Sequence, residues 1–267
     1  MRWLLPAVRV DAAHPATTAW LRRRFGAATL VLSPHFDDAA YSVAGVMRAL
    51  AQAGTAVRML TLFGRSAYAP NRPELDVDGV VALRLAEDAA AARLIHPQLA
   101  TAWRDIPDVA LRRGLAVEAV VSKAPLDAES QTLTDTLARE IESSLGKDET
   151  VVAPLGMGWH IDHRIAAGIG ARLARGGRTV HFYEDLPYAG FTRSSRLWLA
   201  QAWRLRVVGL PLRAADIVVP DLAGLKQQVF GCYASQASDA FWRGISQQIR
   251  RRAGAERLWI GRLPVQG

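Results

Sequence analysis

The fold is decided by one stretch, Ala27-Ala28-Thr29-Leu30-Val31-Leu32-Ser33-Pro34-His35-Phe36-Asp37-Asp38. Its first half is apolar and β-branched, which predicts a buried strand over residues 29–33. A histidine and two adjacent aspartates come next, and charges at the end of a buried strand are costly unless they are paired or metal-bound. The stretch therefore raises the hypothesis of a metal site at the end of this strand.

The residues that follow predict a strand–helix–strand unit. A helix is predicted from Ala39 to about Ala53, because apolar side chains recur at helical spacing and Gly54 follows them. The next strand is predicted over residues 56–63. A unit of this kind predicts two parallel strands joined by a right-handed crossover.

The same alternation continues through the rest of the chain. Further helices are predicted at residues 16–25, 80–95, 130–145 and 162–174, and further strands at 99–103, 150–155 and 178–183. After Tyr188 the weaker pattern predicts helices at 193–203, 222–233 and 240–252, short strands at 204–208 and 217–219, and an edge strand at 258–261. We expect an α/β fold, with a Rossmann-like three-layer α/β/α arrangement around a mostly parallel sheet, in a single domain over residues 1–267.

Composition and charge narrow the class of protein. No apolar run approaches the roughly 18 residues of a membrane span, and the N-terminus is too short and interrupted for a signal-peptide core, so we expect a cytoplasmic protein. The single cysteine, Cys232, excludes an intrachain disulfide and a cysteine-rich zinc site. The formal net charge of +8 comes mostly from scattered arginines without a long basic tract, which argues against nucleic-acid binding.

Three predicted strands end in clusters of polar side chains. The clusters are His35, Asp37 and Asp38; His160, Asp162 and His163; and Glu184 and Asp185. Because the carboxyl ends of parallel strands lie at one edge of a sheet, we expect these clusters to share a crevice. Histidine nitrogens and carboxylate oxygens suit Zn²⁺ with a water at its open position. The alternatives are structural: an aspartate of the first cluster can cap a helix, and the histidines of the second can lie on an exposed first turn.

Two of these clusters carry a resemblance to a known family. Pro34-His35-Phe36-Asp37-Asp38 resembles the Pro-His-Pro-Asp-Asp motif of the LmbE-like, or PIG-L, zinc-dependent N-deacetylases, and His160-Ile161-Asp162-His163 resembles the family's His-x-x-His motif. Supporting matches are Arg84-Leu85-Ala86-Glu87, Lys226 and Tyr233-Ala234-Ser235-Gln236. The resemblance covers about residues 28–236, which it identifies as the core of an LmbE-like deacetylase fold.

The resemblance implies a role for each matching residue. It implies a single Zn²⁺ per chain, bound by His35, Asp38 and His163. Asp37 matches the family's general base, which accepts the proton of the attacking water. His160 matches the histidine that stabilises the developing oxyanion. Asp162 is expected either to orient one of the histidines or to act as a carboxylate at the start of its helix.

Substrate contacts are expected from three other residues. Arg84 matches a substrate-binding arginine of the family, with a pair to Glu87 or Asp88 on its own helix as the alternative. Glu184 and Asp185 end a strand at the same edge of the sheet, where they are expected to contact the substrate or to support the site.

The chain departs from the family motif at two positions. Phe36 stands where the family has proline, and Ala39 stands where it usually has glutamate. Neither position is a metal ligand, so the implied metal set is intact and the departures bear on the substrate class. Some family members that act in bacterial secondary metabolism carry a similar variant of the motif.

The resemblance predicts a zinc-dependent hydrolase that removes an N-acyl group, typically N-acetyl, from an amino sugar or a sugar-containing small molecule. One alternative is a metal amidase of the same fold that acts on a thiol-conjugate, lipid or antibiotic amide. Another is a non-catalytic α/β protein that binds a small molecule. A nucleotide-binding domain is disfavoured, because no Gly-rich loop follows the first strand. We expect an N-acylated, glycan-containing partner, no nucleic acid and no membrane span, and a homo-oligomer is compatible with the sequence.

Overall fold

The computed structural model describes residues 7–193 and 208–260, whose strands form one eight-stranded sheet. The strands are β1 (Val8–Asp11), β2 (Ala28–Ser33), β3 (Ala56–Thr61), β4 (Ala100–Trp103), β5 (Thr150–Pro154), β6 (Val180–Tyr183), β7 (Arg213–Val218) and β8 (Ala255–Ile260). Their order across the sheet is β1-β7-β8-β6-β5-β2-β3-β4. Only β8 runs antiparallel to its neighbours, which are β6 and β7. The predicted α/β fold with a mostly parallel sheet is confirmed.

Helices flank this sheet. They are α1 (Pro15–Phe25), α2 (Asp38–Gln52), α3 (Val77–Ile95), α4 (Val109–Arg113), α5 (Ala128–Ser144), α6 (Ile161–Arg175), α7 (Tyr188–Phe191), α8 (Leu222–Cys232) and α9 (Asp239–Arg251), with a 3₁₀ helix at Val117–Val120. Helices α2, α3 and α8 pack together, and α5 packs on α6. The β2–α2–β3 and β5–α6–β6 units proceed in opposite directions across the sheet, so right-handed crossovers place α2 and α6 on opposite faces.

The direction of the chain reverses between β2 and β5. These two strands are adjacent and parallel, with Thr29 opposite Thr150, yet their following helices leave toward opposite faces. Such a switch point opens a crevice at the carboxyl ends of the strands. The polar clusters that follow β2 and β5 are therefore neighbours across that crevice.

Helix α2 has a break near its beginning, and a buried ion pair lies at this break. Val43 has non-helical φ and ψ angles of −135° and 27°. Glu256, on β8, accepts hydrogen bonds from the backbone N–H groups of Gly45 (3.1 Å) and Val46 (2.7 Å). Lys226, on α8, forms an ion pair with Glu256 and donates to the Tyr41 carbonyl at 2.5 Å. This pair satisfies backbone groups at the break and so supports the first turn of α2, which begins at Asp38.

Four predictions for the C-terminal part need correction or lie outside the described ranges. The strand predicted at 258–261 exists as part of β8, but its predicted position at the edge of the sheet is wrong. Strand β8 lies in the interior of the sheet, between β6 and β7. The strand predicted at 217–219 is the end of the longer β7. The helix at 193–203 and the strand at 204–208 fall almost wholly outside the described residues. The single-domain assignment stays a prediction.

None of the helices within residues 7–193 and 208–260 combines the length and apolarity needed to cross a membrane.

Candidate active site

Three side chains from the carboxyl ends of β2 and β5 converge on one point. Asp38 Oδ2 lies 3.1 Å from His35 Nδ1 and 3.2 Å from His163 Nε2. Each residue offers one ligand atom, and these atoms all lie within 4.8 Å of one another. Asp38 and His163 are buried, and His35 is partly buried. The fold thus brings together the three residues predicted to bind a metal.

The unused nitrogens of both histidines face carboxylates. His163 Nδ1 lies 2.7 Å from Asp185 Oδ1, and His35 Nε2 lies 3.3 Å from Asp162 Oδ2. A carboxylate behind a ligating histidine fixes its tautomer and orientation. His163 Nε2 is buried and forms no well-aligned hydrogen bond among the residues that the structure describes, although Asp38 Oδ2 lies 3.2 Å away. The donor set of two histidine nitrogens and one carboxylate oxygen fits a divalent metal ion that prefers nitrogen and oxygen, such as Zn²⁺.

A second group, His35, His160 and Asp162, also places its ligand atoms within 4.8 Å of one another. Its carboxylate is already engaged, because Asp162 Oδ2 accepts from the Val109 N–H (2.8 Å) and Oδ1 accepts from Arg112 Nη2 (2.9 Å). His160 Nδ1 in turn accepts from the Asp162 N–H at 3.2 Å. Because of these contacts, Asp162 orients His35 and is less free to bind a metal. The group of His35, Asp38 and His163 is therefore the better candidate metal site.

The structure separates the two acidic residues that follow β6. Asp185 is fully buried behind His163, where its Oδ2 accepts from the backbone N–H groups of Gly156 (2.8 Å) and Met157 (2.9 Å). Glu184 points elsewhere and accepts from Gln248 at 2.6 Å and Arg252 at 2.9 Å. Neither carboxylate lines the cavity described below. This geometry therefore does not favour the predicted substrate contacts of Glu184 and Asp185.

Asp37 and Arg84 form a pair inside the site. Arg84 Nη2 donates to Asp37 Oδ1 at 2.9 Å, and both residues are buried. Burial raises the pKa of Asp37, the Arg84 guanidinium lowers it, and the net pKa is above the ordinary value. Arg84 does not pair with its helix neighbours: Glu87 accepts from the backbone and hydroxyl of Ser235. Asp37 has no side-chain capping hydrogen bond on α2, so the structural alternative for it is not realised.

His160 lines the same cavity as Asp37. Because its Nδ1 accepts a hydrogen bond, the neutral ring carries its proton on Nε2. The pKa of His160 is lowered to about 3, mainly by burial and further by the nearby His35 and His163. His160 is therefore a neutral imidazole at physiological pH, with one N–H available to a bound molecule.

A cavity of about 280 Å³ opens beside the candidate metal group. Its wall contains the predicted residues His35, Asp37, Asp38, Arg84 and His160. It also contains residues that sequence reasoning missed, namely Ser66, Asp108, Val117, Val120, Val121 and Phe241. Of these, Asp108 carried a usable signal, because it closely follows β4 at the same edge of the sheet. The apolar residues carried none, since their place in the wall depends on how distant segments pack.

Tyr188 closes one side of this cavity. Its ring meets that of His163 edge-on, with the centroids 5.1 Å apart. Gly158 makes the approach feasible: a Cβ at this position would lie 2.4 Å from Tyr188 Cγ, and the backbone there has a φ of +84°. The Gly156-Met157-Gly158 loop after β5 thus provides room for an aromatic wall against His163.

Comparisons with known proteins agree with this site. Residues 30–174, more than half of the chain, match the family model PIG-L, described as GlcNAc-PI de-N-acetylase. This chain belongs to the PIG-L family. The resemblance of its two His/Asp motifs to that family is confirmed, and so is its assignment as a deacetylase. The matched region contains both motifs, so the PIG-L match covers all three residues of the candidate metal set.

Two curated PIG-L relatives extend the likeness over most of the chain. A 2'-N-acetylparomamine deacetylase from Streptomyces fradiae is 33% identical over 259 residues, covering 94% of this chain and 87% of that protein. The enzyme of the same name from Niallia circulans is 26% identical over 271 residues, covering 90% and 92%. The C-terminal elements are thus part of the likeness.

Solved structures of deacetylases share the fold. A deacetylase from the teicoplanin biosynthesis pathway, solved as a bog complex, has a TM-score of 0.69 at 25% identity, covering 87% of this chain and 96% of that one. A zinc-inhibited form of a teicoplanin deacetylase has a TM-score of 0.67 at 23% identity, with coverages of 87% and 97%.

Proposed function

We propose that this deacetylase removes the N-acetyl group from an amino sugar of an aminoglycoside, with one zinc ion bound by His35, Asp38 and His163. The observation that carries the proposal is the cluster of three donor side chains, His35, Asp38 and His163, beside a buried carboxylate in the same cavity. The likeness to two 2'-N-acetylparomamine deacetylases supports the substrate class.

The metal supplies Lewis acidity when bound: it polarises an amide carbonyl and makes water nucleophilic near neutral pH. Asp37 accepts the proton that water loses as it adds to the amide carbon. Its buried position favours that step, because the raised pKa makes the carboxylate a stronger base. Arg84 opposes this effect and orients the carboxylate through its 2.9 Å hydrogen bond.

His160 acts on the other side of the reacting carbon. Its Nε2–H donates to the carbonyl oxygen as negative charge develops there. Asp37 then passes its proton to the nitrogen as the carbon–nitrogen bond breaks, which releases acetate and a free amine. Each role follows from a group that the cavity wall presents within reach of one small molecule.

The second candidate is deacetylation of a sugar on a glycopeptide. It is favoured by the apolar part of the cavity wall, which includes Val117, Val120, Val121 and Phe241. Val117 and Val121 are also about half exposed. A glycopeptide could cover such apolar surface more fully than an aminoglycoside could.

Acetate release from zinc-reconstituted protein tests the proposal. We expect turnover of 2'-N-acetylparomamine to exceed that of an N-acetylated glycopeptide, whereas the reverse order would favour the second candidate. Zinc should be added in stepwise equivalents, because one solved relative is a zinc-inhibited form. Activity that is maximal at one equivalent supports a single catalytic ion, and activity that requires two would contradict it.

Three variants separate the roles of the residues. His163→Ala should lose both the bound zinc and the activity, and full zinc occupancy would refute its assignment as a ligand. Asp37→Asn should keep the zinc and lose turnover by about 10²- to 10⁴-fold. His96→Ala removes a histidine at the far end of α3 that lies outside the metal groups and the cavity wall, so it controls for the loss of any histidine.

A further inference from the structure

A second cavity lies along one face of α6 and is here named the α6 cavity. Its volume is about 390 Å³, which is within the range of small-molecule sites. The α6 side chains that line it recur every three or four residues from Arg164 to Arg175, as one face of a helix requires. None of its lining residues that the structure describes also lines the catalytic cavity. The fold therefore offers a separate concave surface that the deacetylation reaction does not use.

The wall of the α6 cavity is strongly cationic. Within the described ranges, four of its lining residues are cations and none is a carboxylate; the cations are Lys123, Arg164, Arg172 and Arg175. Arg172 pairs with the exposed Asp135. The other three cations form no ion pair with any residue that the structure describes. A wall of this composition favours an anionic ligand.

Arg164 is the most deeply buried of these cations. It is only 8% exposed, and its Nη1 and Nη2 donate to the carbonyls of Ser122 (2.7 Å) and Ala124 (2.6 Å). These neutral acceptors engage two of its five N–H donors but supply no counter-charge. Burial accordingly lowers the pKa of the Arg164 guanidinium. An anion in the α6 cavity would offset the cost of burying this charge.

The remaining wall indicates what kind of anion fits. Much of it is apolar and is formed by Leu126, Ala167, Ala171 and Val208. A bare anion would leave these side chains uncovered, whereas a larger molecule could contact them. Guanidinium groups suit phosphate oxygens because they can donate two parallel hydrogen bonds. A small phosphate ester combines such an anion with a less polar body.

Arg164 also supports the wall of the catalytic cavity. The backbone N–H of Ser122, whose carbonyl Arg164 holds, donates to the Trp159 carbonyl at 3.0 Å. The preceding residue, Val121, lines the catalytic cavity and forms an isolated β-bridge with His160. One guanidinium thus holds the segment that carries Val121 against the beginning of α6.

We propose that the α6 cavity binds the phosphate group of a small phosphate ester at Arg164, and that its occupancy loosens the wall of the catalytic cavity. The bound phosphate competes for N–H groups that otherwise hold the carbonyls of Ser122 and Ala124. The segment that carries Val121 is then held less firmly. The binding site is independent of the proposed function, whereas its kinetic effect rests on that function.

Calorimetry with zinc-loaded protein tests the binding. The probe is adenosine monophosphate (AMP), and inorganic phosphate and adenosine are its two comparisons. We expect AMP to bind more tightly than inorganic phosphate, and adenosine not to bind. Absence of AMP binding would overturn the proposal, and equal affinities for AMP and inorganic phosphate would refute the assignment to an ester.

Three variants locate the bound AMP. Arg164→Gln should weaken its binding by about 10- to 100-fold, as for the loss of a hydrogen bond to a charged group. Arg175→Gln should weaken it by about 2- to 5-fold, and this variant spares the catalytic wall, because Arg175 is exposed and donates to the Val208 carbonyl. Arg93→Gln is the matched control, since it removes an exposed arginine of α3 that lies outside the cavity. Equal losses in all three variants would show a response to net charge alone and would overturn the proposal.

Kinetics test the effect on the catalytic wall. Saturating AMP should raise the KM for 2'-N-acetylparomamine with little change in kcat, and adenosine should not. In Arg175→Gln the same rise should need about 2- to 5-fold more AMP. A rise at an unchanged AMP concentration would mean that AMP occupies the catalytic cavity, which would overturn the proposal, and an unchanged KM in wild-type protein would refute the coupling.

The two proposals fail in different ways. Absence of acetate release from 2'-N-acetylparomamine by wild-type protein would refute the proposed function. AMP binding that depends on Arg164 and Arg175 would still support the phosphate site in that case.

Discussion

His163 and Asp185 are joined by a 2.7 Å contact between Nδ1 and Oδ1 in the interior of the protein. Two backbone N–H groups of the loop after β5 hold the other oxygen of Asp185. Burial alone would lower the pKa of His163, but the carboxylates of Asp38 and Asp185 raise it to about 10. Asp185 therefore leaves Nε2 of His163 to face Asp38, and in the proposed zinc site it would strengthen the imidazole as a ligand.

Replacing Asp185 by asparagine should weaken zinc binding by about 10- to 100-fold, because the negative charge behind the ligating ring is lost. The measurement is competition for zinc against a chelator. Glu184→Gln is the matched control: it changes the preceding buried carboxylate, which contacts Gln248 and Arg252 instead of a metal ligand. Wild-type affinity in Asp185→Asn would show that the contact with His163 does not support the metal.

Asp88 should make the stability of the metal-free protein depend on pH. Burial raises the pKa of Asp88 from 3.8 to about 7, although the hydroxyl of Tyr233 donates to it and opposes the shift. The folded state thus holds this proton more tightly than the unfolded state does. The contribution of Asp88 to the free energy of unfolding should therefore fall as the pH rises from about 4 to about 7, and then level off.

The Asp88→Asn variant should remove this dependence, because asparagine keeps the acceptor for Tyr233 and cannot ionise. At pH 8 the free energy of unfolding should exceed that of wild type by about 2–4 kcal/mol, whereas near pH 4 the two should be similar. Urea denaturation of both proteins in the presence of a chelator measures the difference. The same gap at both pH values would contradict the role assigned to burial.

Breaking the buried pair of Lys226 and Glu256 should be severely destabilising. Lys226→Met leaves Glu256 buried without its cation, which costs about 3–5 kcal/mol. The double variant Lys226→Met with Glu256→Gln should recover part of this loss, because no buried charge remains and the amide oxygen still accepts from Gly45 or Val46 at the break in α2. Urea denaturation of the single and double variants completes the cycle, and strictly additive losses would show that the pair is not coupled.

Gly158→Ala should harm both stability and activity. The new Cβ would meet the Tyr188 ring, and alanine is strained at a φ of +84°. Gly177→Ala is the matched control, because Gly177 has a φ of +100° but nothing within 4 Å of the point where the alanine methyl would lie. The control should lose about 1–2 kcal/mol without an effect on kcat/KM. Equal effects of the two variants would mean that the Gly158–Tyr188 contact does not shape the site.

The sequence by itself determined the chemistry and the side of the sheet on which it lies. Strand periodicity placed His35, Asp38 and His163 just after two strands, and parallel strands put such residues at one edge whatever the remaining details are. The family motifs then distinguished the neighbouring aspartates Asp37 and Asp38. These conclusions depend on local residue order, which the sequence states directly.

The tertiary structure alone decided the partners of each polar side chain. Asp185 lies behind His163, Arg84 pairs with Asp37 and not with its own helix, and Asp108 lines the cavity. It also placed β8 inside the sheet instead of at its edge. Each outcome depends on contacts between segments far apart in sequence, and local periodicity does not record the direction in which a side chain points across such a contact.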